Sequence, residues 1–197
     1  MSNSGVFDVN DIRYLMDYQQ WSGVGTLELL ETQVASSVSA LDFLILKEDI
    51  YDVHFLTYNN YQANTDNTIF NIGLYENGVE ENASVYQLAI QGGRAGGTWS
   101  EYKSNSYNGG VMSIGSGIDN ASGSSCNGYT YFYNLGDSSK YSFATFQCSY
   151  NYYDSAEFEM NFGSGVLSQA SVVDGLRIRP NGGTFSGDFS LYGIRHS

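Results

Sequence analysis

Short runs of alternating apolar and polar residues dominate this chain, and loops rich in Gly, Asn and Ser separate them. Alternation with a period of two places one set of side chains on each face of a β-strand. About ten such runs follow one another over residues 26–197, with no helical pattern between them. The sequence therefore predicts an all-β domain, an antiparallel β-sandwich of jelly-roll type.

The amino-acid composition agrees with strands joined by tight turns. The 197 residues include 17 Tyr, 11 Phe and 23 Gly, but only 1 Pro. Aromatic residues favour strands, and glycines favour turns and bulges. A chain of this length can bury a hydrophobic core without stabilisation by disulfides or metal ions. One β-sandwich domain with an N-terminal appendage is therefore expected.

The run over residues 183–197 has the clearest alternation. Phe185, Phe189 and Leu191 fall on one side, whereas Ser186, Asp188, Ser190 and Tyr192 fall on the other. A strand with one apolar face belongs in a sheet that covers a core. We therefore expect this end of the chain to be paired into the sandwich.

Residues 1–25 differ in pattern and predict a short N-terminal helical arm. Asp8 suits a helix N-cap, and apolar residues follow at helical spacing. The residues assigned to this anchoring arm are Val9, Ile12, Leu15, Met16 and Trp21. Two interpretations stay open: the arm packs on its own domain, or it docks onto a neighbouring subunit.

The charge pattern excludes several partners. A formal net charge of -13 would repel a phosphate backbone, so no nucleic acid is expected as a partner. No apolar run approaches the length of a membrane span, and the first residues lack a secretory-signal pattern. We expect a soluble protein made in the cytosol, without membrane insertion.

Cys126 and Cys148 flank a predicted hairpin, with strands at 128–135 and 140–147. A hairpin symmetric about Asp137 would place residue 126 opposite residue 148. In a reducing compartment the thiols are expected to be free and buried. A disulfide formed after release from the cell is the open alternative.

Candidate catalytic groups are few. His54 shares a strand face with Leu56 and is interpreted as a core histidine. Glu157 and Glu159 lie two apart on one predicted strand, which suits either a glycosidase pair or a solvated face beside Phe158. The sequence lacks the common hydrolase and protease motifs, so no enzymatic activity is expected.

Two further clusters are interpreted as structural. Glu76, Glu80 and Glu81 surround a turn and lack the alternating oxygen ligands of a calcium loop. The glycines at 92–97 lack the Lys-Ser/Thr ending of a phosphate loop, which favours a hairpin turn. We therefore expect no cofactor and no metal.

Aromatic side chains in predicted loops are the remaining candidates for recognition. Flat amphipathic rings stack on sugars and also bury contacts between proteins. The sequence leaves both uses open. The candidate recognition residues are Tyr58, Tyr61, Trp99, Tyr102, Tyr152 and Tyr153.

Three segments together resemble a β-sandwich module of virion structural proteins from marine bacteriophages. They are YDVHFLTYNNYQ at 51–62, NGYTYFYNLGDSSKYSFATFQ at 127–147 and GTFSGDFSLYGIRHS at 183–197. The resemblance covers residues 26–197. In addition, GVFDVNDIRYLMDYQQW near the start is similar to the short leader of small stand-alone versions.

This resemblance implies a non-enzymatic component of the virion, either a capsid decoration or a tail-associated subunit. It implies assembly in the host cytoplasm, other capsid or tail proteins as partners, and a symmetric oligomer, for which we expect a homotrimer. A host-glycan-binding adhesin or receptor-binding module is the alternative, and a glycosidase is the less favoured one. The resemblance transfers no catalytic residues.

Overall fold

The computed structural model describes residues 27–114 and 117–194, and these form thirteen β-strands without a helix. The predicted arm, with Val9, Ile12, Leu15, Met16 and Trp21, lies outside the described residues. The strands are β1 (Leu27–Val38), β2 (Leu41–Phe43), β3 (Val53–Ala63), β4 (Phe70–Glu76), β5 (Val79–Glu80), β6 (Tyr86–Arg94), β7 (Trp99–Tyr107), β8 (Met112–Ser113), β9 (Cys126–Tyr133), β10 (Tyr141–Asn151), β11 (Phe158–Ala170), β12 (Val173–Pro180) and β13 (Phe185–Ile194).

The strands form two sheets. The larger sheet has eight strands in the order β1-β13-β3-β9-β10-β11-β6-β7, and the smaller has the order β2-β12-β4-β5, with β8 also paired to β4. All the pairings between these strands are antiparallel. The predicted all-β class is thus confirmed, in a sandwich-like arrangement of two antiparallel sheets.

The core lies between the two sheets. Leu56 and Phe132 of the larger sheet belong to the same buried cluster as Ile72 and Leu176 of the smaller sheet. The segment around β8 also enters this cluster, since Val111, Met112 and Ile114 are fully buried. Burial of this apolar surface is the main force that holds the two sheets together.

The C-terminal run is confirmed as a strand inside the larger sheet. β13 pairs with β1 on one side and with β3 on the other. Phe185, Phe189 and Leu191 are buried, whereas Ser190 and Tyr192 are half-buried on the opposite face. The alternation in the sequence therefore identified the core face correctly.

The predicted hairpin is confirmed as β9 and β10, but its register differs by two residues. Cys148 lies opposite Gly128, not opposite Cys126. The turn is centred nearer residue 138 than Asp137, because Ser139 and Lys140 also take part in it. A shift of two keeps Cys126 and Cys148 on the same face, and both are buried, free thiols.

Two strands lie where the sequence predicted only loops: the two-residue strand β5, and the longer strand β7. β7 runs through the stretch 91–110, which lacks a regular apolar alternation. β7 is the last strand of the larger sheet, and most of its residues are exposed on both faces. An edge strand of this kind buries little, so no periodic signal marks it in the sequence.

Candidate binding face

Two of the aromatic residues predicted for recognition, Tyr58 and Tyr61, lie in the core and not in a loop. Both side chains are 0% exposed. Tyr58 packs edge-on against Phe70 at 4.9 Å, and Tyr61 stacks on the same ring at 4.5 Å. They are therefore excluded as contacts for a ligand at the surface.

A β-bulge explains why both tyrosines point inward. Residues three apart on a regular strand lie on opposite faces, but the pairing of β3 shifts between Tyr58 and Tyr61. Within this bulge Asn60 has a φ of 55°, a left-handed conformation that Asn tolerates well. The Asn60 amide donates to Asn127 Oδ1 at 2.8 Å, which holds the bulge in place.

The alternation in β11 is the reverse of the predicted one. Glu159 and Asn161 are buried, whereas Phe158 and Phe162 are 52% and 40% exposed. Glu159 is therefore not on a solvated face. Glu157 precedes the strand and keeps partial exposure.

A hydrogen-bonded network explains how a carboxylate fits the inward face. Glu159 Oε2 accepts a hydrogen bond from Arg94 Nε at 2.7 Å. Glu159 Oε1 accepts from Tyr150 Oη and from Asn161 Nδ2, both at 3.0 Å. The Arg94 guanidinium also covers the ring of Tyr152, 3.3 Å from its centroid. These contacts compensate for the burial of the Glu159 carboxylate, so this side chain has a structural role.

The reversed alternation leaves an apolar surface on the outer side of the larger sheet. We call this surface the outer face; it consists of the side chains that point away from the smaller sheet. Strand register places these residues in rows that cross the sheet. Its large apolar members are Leu27, Leu29, Val34, Val53, Phe55, Trp99, Tyr129, Tyr131, Tyr133, Tyr141, Phe143, Phe158, Met160, Phe162, Val166, Tyr192 and Ile194.

Aromatic rings contact one another in the middle of the outer face. The ring of Phe55 lies 4.6 Å from that of Tyr131 and 6.0 Å from that of Tyr192. Tyr129 packs edge-on against Tyr131 at 5.8 Å. Such ring pairs stabilise neighbouring strands while leaving flat ring surface toward solvent.

A shallow groove crosses the outer face between β11 and β7. The small side chains of Ala89 and Ser164 form its floor, and Phe162, Glu101 and Lys103 border it. The groove has a volume of about 410 Å³. A second depression of about 300 Å³ continues from the same floor toward Phe143. The two depressions share Ala89 and Ser164 and lie side by side across the four strands β7, β6, β11 and β10.

Trp99 and the pair Tyr152 and Tyr153 do not line a common groove. Trp99 is 66% exposed and packs beside Gly93 on the outer face. Tyr152 lies under Arg94, which points to the other side of the sheet with Glu159. Tyr152 and Tyr153 contact each other at 4.7 Å in the loop after β10.

Tyr102, the remaining recognition candidate, lies on β7 and not in a loop. Its ring contacts that of Tyr107 at 6.2 Å and is 36% exposed. The Tyr107 hydroxyl donates to Asn71 Oδ1 at 2.7 Å. This pair therefore connects the edge of the larger sheet to β4 of the smaller one.

The smaller sheet has a different outer surface, covered by paired charges. Arg177 binds Asp42 at 2.7 Å and Glu80 at 3.0 Å, and Arg179 binds Glu80 at 2.8 Å. The hydrogen bond from Arg177 lowers the pKa of Asp42. Glu80 is thus held by two arginines, and Glu81 accepts from the Ala83 amide at 2.7 Å.

His54 lies inside the core, as predicted. Its side chain is fully buried, and its Nε2 forms a 2.8 Å hydrogen bond with the Leu46 carbonyl. Burial disfavours the charged ring and lowers the pKa of His54. The neutral ring then donates from Nε2 to this carbonyl.

Residues 27–114 and 117–194 contain no cluster of three or more His, Cys, Asp or Glu side chains suited to hold a metal ion. Within the same residues, no helix is long and apolar enough to cross a membrane.

Sequence reasoning missed the outer face because it expected each strand to have one buried face and one solvated face. The signal was nevertheless present in β9 and β10, where both alternating sets contain aromatic residues. Tyr129 and Tyr131 alternate with the buried Thr130 and Phe132, so the strand is apolar on both sides. A strand of this type predicts that the second face is also covered.

Comparisons of the chain with protein-family models, with curated proteins and with solved structures find no match.

Proposed function

We propose that the protein is a non-enzymatic structural component of a bacteriophage virion, either a capsid decoration or a tail-associated subunit. The supporting observation concerns the three segments that resemble phage virion proteins. They correspond to β3, to the hairpin of β9 and β10, and to β13. These strands are neighbours in the order β13-β3-β9-β10, so the resemblance falls on one continuous block of the larger sheet.

The proposal includes the jelly-roll type of the sandwich, a homotrimer, and a helical arm at residues 1–25 that attaches the subunit to the particle. A rigid antiparallel body with a separate attachment segment suits a repeated component of a particle. The virion would assemble in the host cytoplasm, and its capsid or tail proteins would be the partners. The acidic charge of -13 favours protein partners over the packaged nucleic acid.

Mass spectrometry and a reconstruction of purified particles test this function. We expect the protein in purified virions at a fixed copy number, with density for the sandwich at the particle surface. Absence from purified particles of the phage that encodes it would contradict the proposal.

A deletion of residues 1–25 tests the anchoring arm separately. We expect the shortened protein to fold but to be missing from particles, because the body keeps its core while the attachment segment is lost. A full-length Val79→Ser variant is the matched control, since Val79 is 68% exposed on β5 and far along the chain from the arm. Normal incorporation of the shortened protein would refute the anchoring role.

A second candidate function is binding of a host-surface glycan. The groove bordered by Phe162, Glu101 and Lys103 favours it, because an exposed ring beside polar groups suits a sugar. We expect saturable binding on a glycan array that is lost in Trp99→Ala and Phe162→Ala variants. The control variant is Tyr153→Ala, which leaves the charge unchanged and lies outside the groove. An equal loss of glycan binding in all three variants would contradict this function.

A further inference from the structure

The outer face exposes large apolar side chains on strands across the larger sheet. Of its members, Leu29, Trp99, Phe143 and Phe162 are 40% to 66% exposed. Typical monomers keep their largest apolar patch below roughly 600 Å². Surfaces above this limit are usually covered by a partner.

Charge is nearly absent from this face, although the chain carries a net charge of -13. Among the strand positions that the structure describes, the charged side chains on the outer face are Asp188, Glu101 and Lys103. Glu101 and Lys103 pair with each other at 2.7 Å on the edge strand β7. Two acidic copies can therefore approach through this face with little like-charge repulsion.

Two pairs of polar side chains in the middle of the outer face are hydrogen-bonded within it. Tyr129 donates from its hydroxyl to Gln147 Oε1 at 3.2 Å, and the hydroxyls of Tyr133 and Thr145 lie 3.1 Å apart. Burial of these pairs keeps the hydrogen bond that each pair forms. A glycan would instead need free donors and acceptors that point outward, so the middle of this face suits a protein surface better.

The dimensions also suit a specific protein interface. Eight strands at ~4.8 Å spacing with about eight residues each give a face of roughly 900 Å². Because the sheet twists, contact over two thirds of this area in each of two copies buries about 1,200 Å² in total, which is enough for a specific interface.

We propose that the outer face is a self-association surface that packs against a second copy of this chain, with Phe143 and Phe162 at its centre. The surface follows from the fold and its charge distribution, and it does not depend on a role in a virion.

Light scattering coupled to size-exclusion chromatography tests the surface with the full-length chain. The probe is the protein alone, and the variant is Phe143→Asp combined with Phe162→Asp. We expect an oligomer for the unchanged chain and a monomer for the variant, with a dissociation constant raised by about 100-fold or more. The matched control combines Leu44→Asp and Ile45→Asp, which are 61% and 57% exposed but follow β2 of the smaller sheet. It should keep the oligomer.

A cysteine crosslink gives a second readout that does not depend on the aspartate variants folding. Thr145 lies on the outer face between Tyr131 and Ser164. Under mild oxidation we expect Thr145→Cys to form a disulfide-linked dimer, and Val79→Cys on the smaller sheet to form none. The native thiols are buried and contribute no crosslink.

Three results would overturn the proposal. The unchanged chain could remain a monomer at about 100 µM, in which case any self-association would be too weak for a specific assembly. Deletion of residues 1–25 could turn such a monomer into an oligomer. This result would show that the N-terminal arm, and not a second copy, covers the outer face in the full-length chain. The outer-face variant could also keep the oligomer of the unchanged chain, which would place the interface elsewhere.

Discussion

At the scale of single residues, Glu159 is the clearest case of a polar side chain with a structural role. Its carboxylate is fully buried and accepts hydrogen bonds from Arg94, Tyr150 and Asn161. Glu157, two residues earlier, is partly exposed. The two glutamates therefore form a matched pair for measuring what burial of this charge contributes.

We expect Glu159→Gln to lower the free energy of unfolding by about 3 kcal/mol, because Arg94 loses its buried partner. Glu157→Gln should change it by less than about 0.5 kcal/mol. Urea unfolding followed by circular dichroism measures both values. Equal effects of the two substitutions would show that the hydrogen-bonded network is not what keeps Glu159 on the inward face of β11.

His54 predicts a dependence of stability on pH. Burial lowers its pKa in the folded state, so between about pH 6.5 and the lowered value the unfolded chain binds a proton that the folded chain does not. Stability should therefore fall as the pH drops below about 6.5. Unfolding in urea at neutral and mildly acidic pH measures this loss.

His54→Gln keeps a donor for the Leu46 carbonyl but does not titrate. We expect this variant to lose less stability than the unchanged chain over the same pH interval. Since His196 is present in both proteins, the comparison isolates His54. An identical loss in both would assign the effect to other groups.

At the scale of elements, the sequence predicted strands well where one face is apolar and the other polar. β13 follows this rule, whereas the hairpin of β9 and β10 has aromatic residues on both faces and was predicted from its turn and its β-forming residues. β7 was missed because it is exposed on both faces, and β11 was reversed because its phenylalanines face outward while Glu159 and Asn161 are buried. In β3, the bulge at Asn60 changed the face of Tyr61, and this depends on pairing with distant strands.

β11 also contains a glycine that its packing requires. A Cβ atom at Gly165 would collide with the Val111 carbonyl oxygen in the segment that fills the core. We expect Gly165→Ala to lower the free energy of unfolding by about 2 kcal/mol through overpacking. Gly182→Ala is the control, since nothing lies within 4 Å of its Cβ position. Thermal unfolding of both variants measures the difference, and equal melting temperatures would contradict this packing.

At the scale of the whole molecule, the two sides of the sandwich differ in chemistry. The smaller sheet exposes paired charges around Arg177 and Glu80, whereas the larger sheet exposes aromatic rings. Composition and alternation predicted the all-β class, because these signals are local. The outer face could not be predicted in the same way, since it depends on which strands lie side by side in the larger sheet.

Trp99 gives the outer face an optical reporter. It and Trp21 are the two tryptophans of the chain, and its indole is 66% exposed at the corner of the outer face. In a Trp21→Phe variant, fluorescence therefore comes from this corner alone. Dilution that separates the copies should move the emission to longer wavelengths as the indole enters water, so the assembly can be followed without a label.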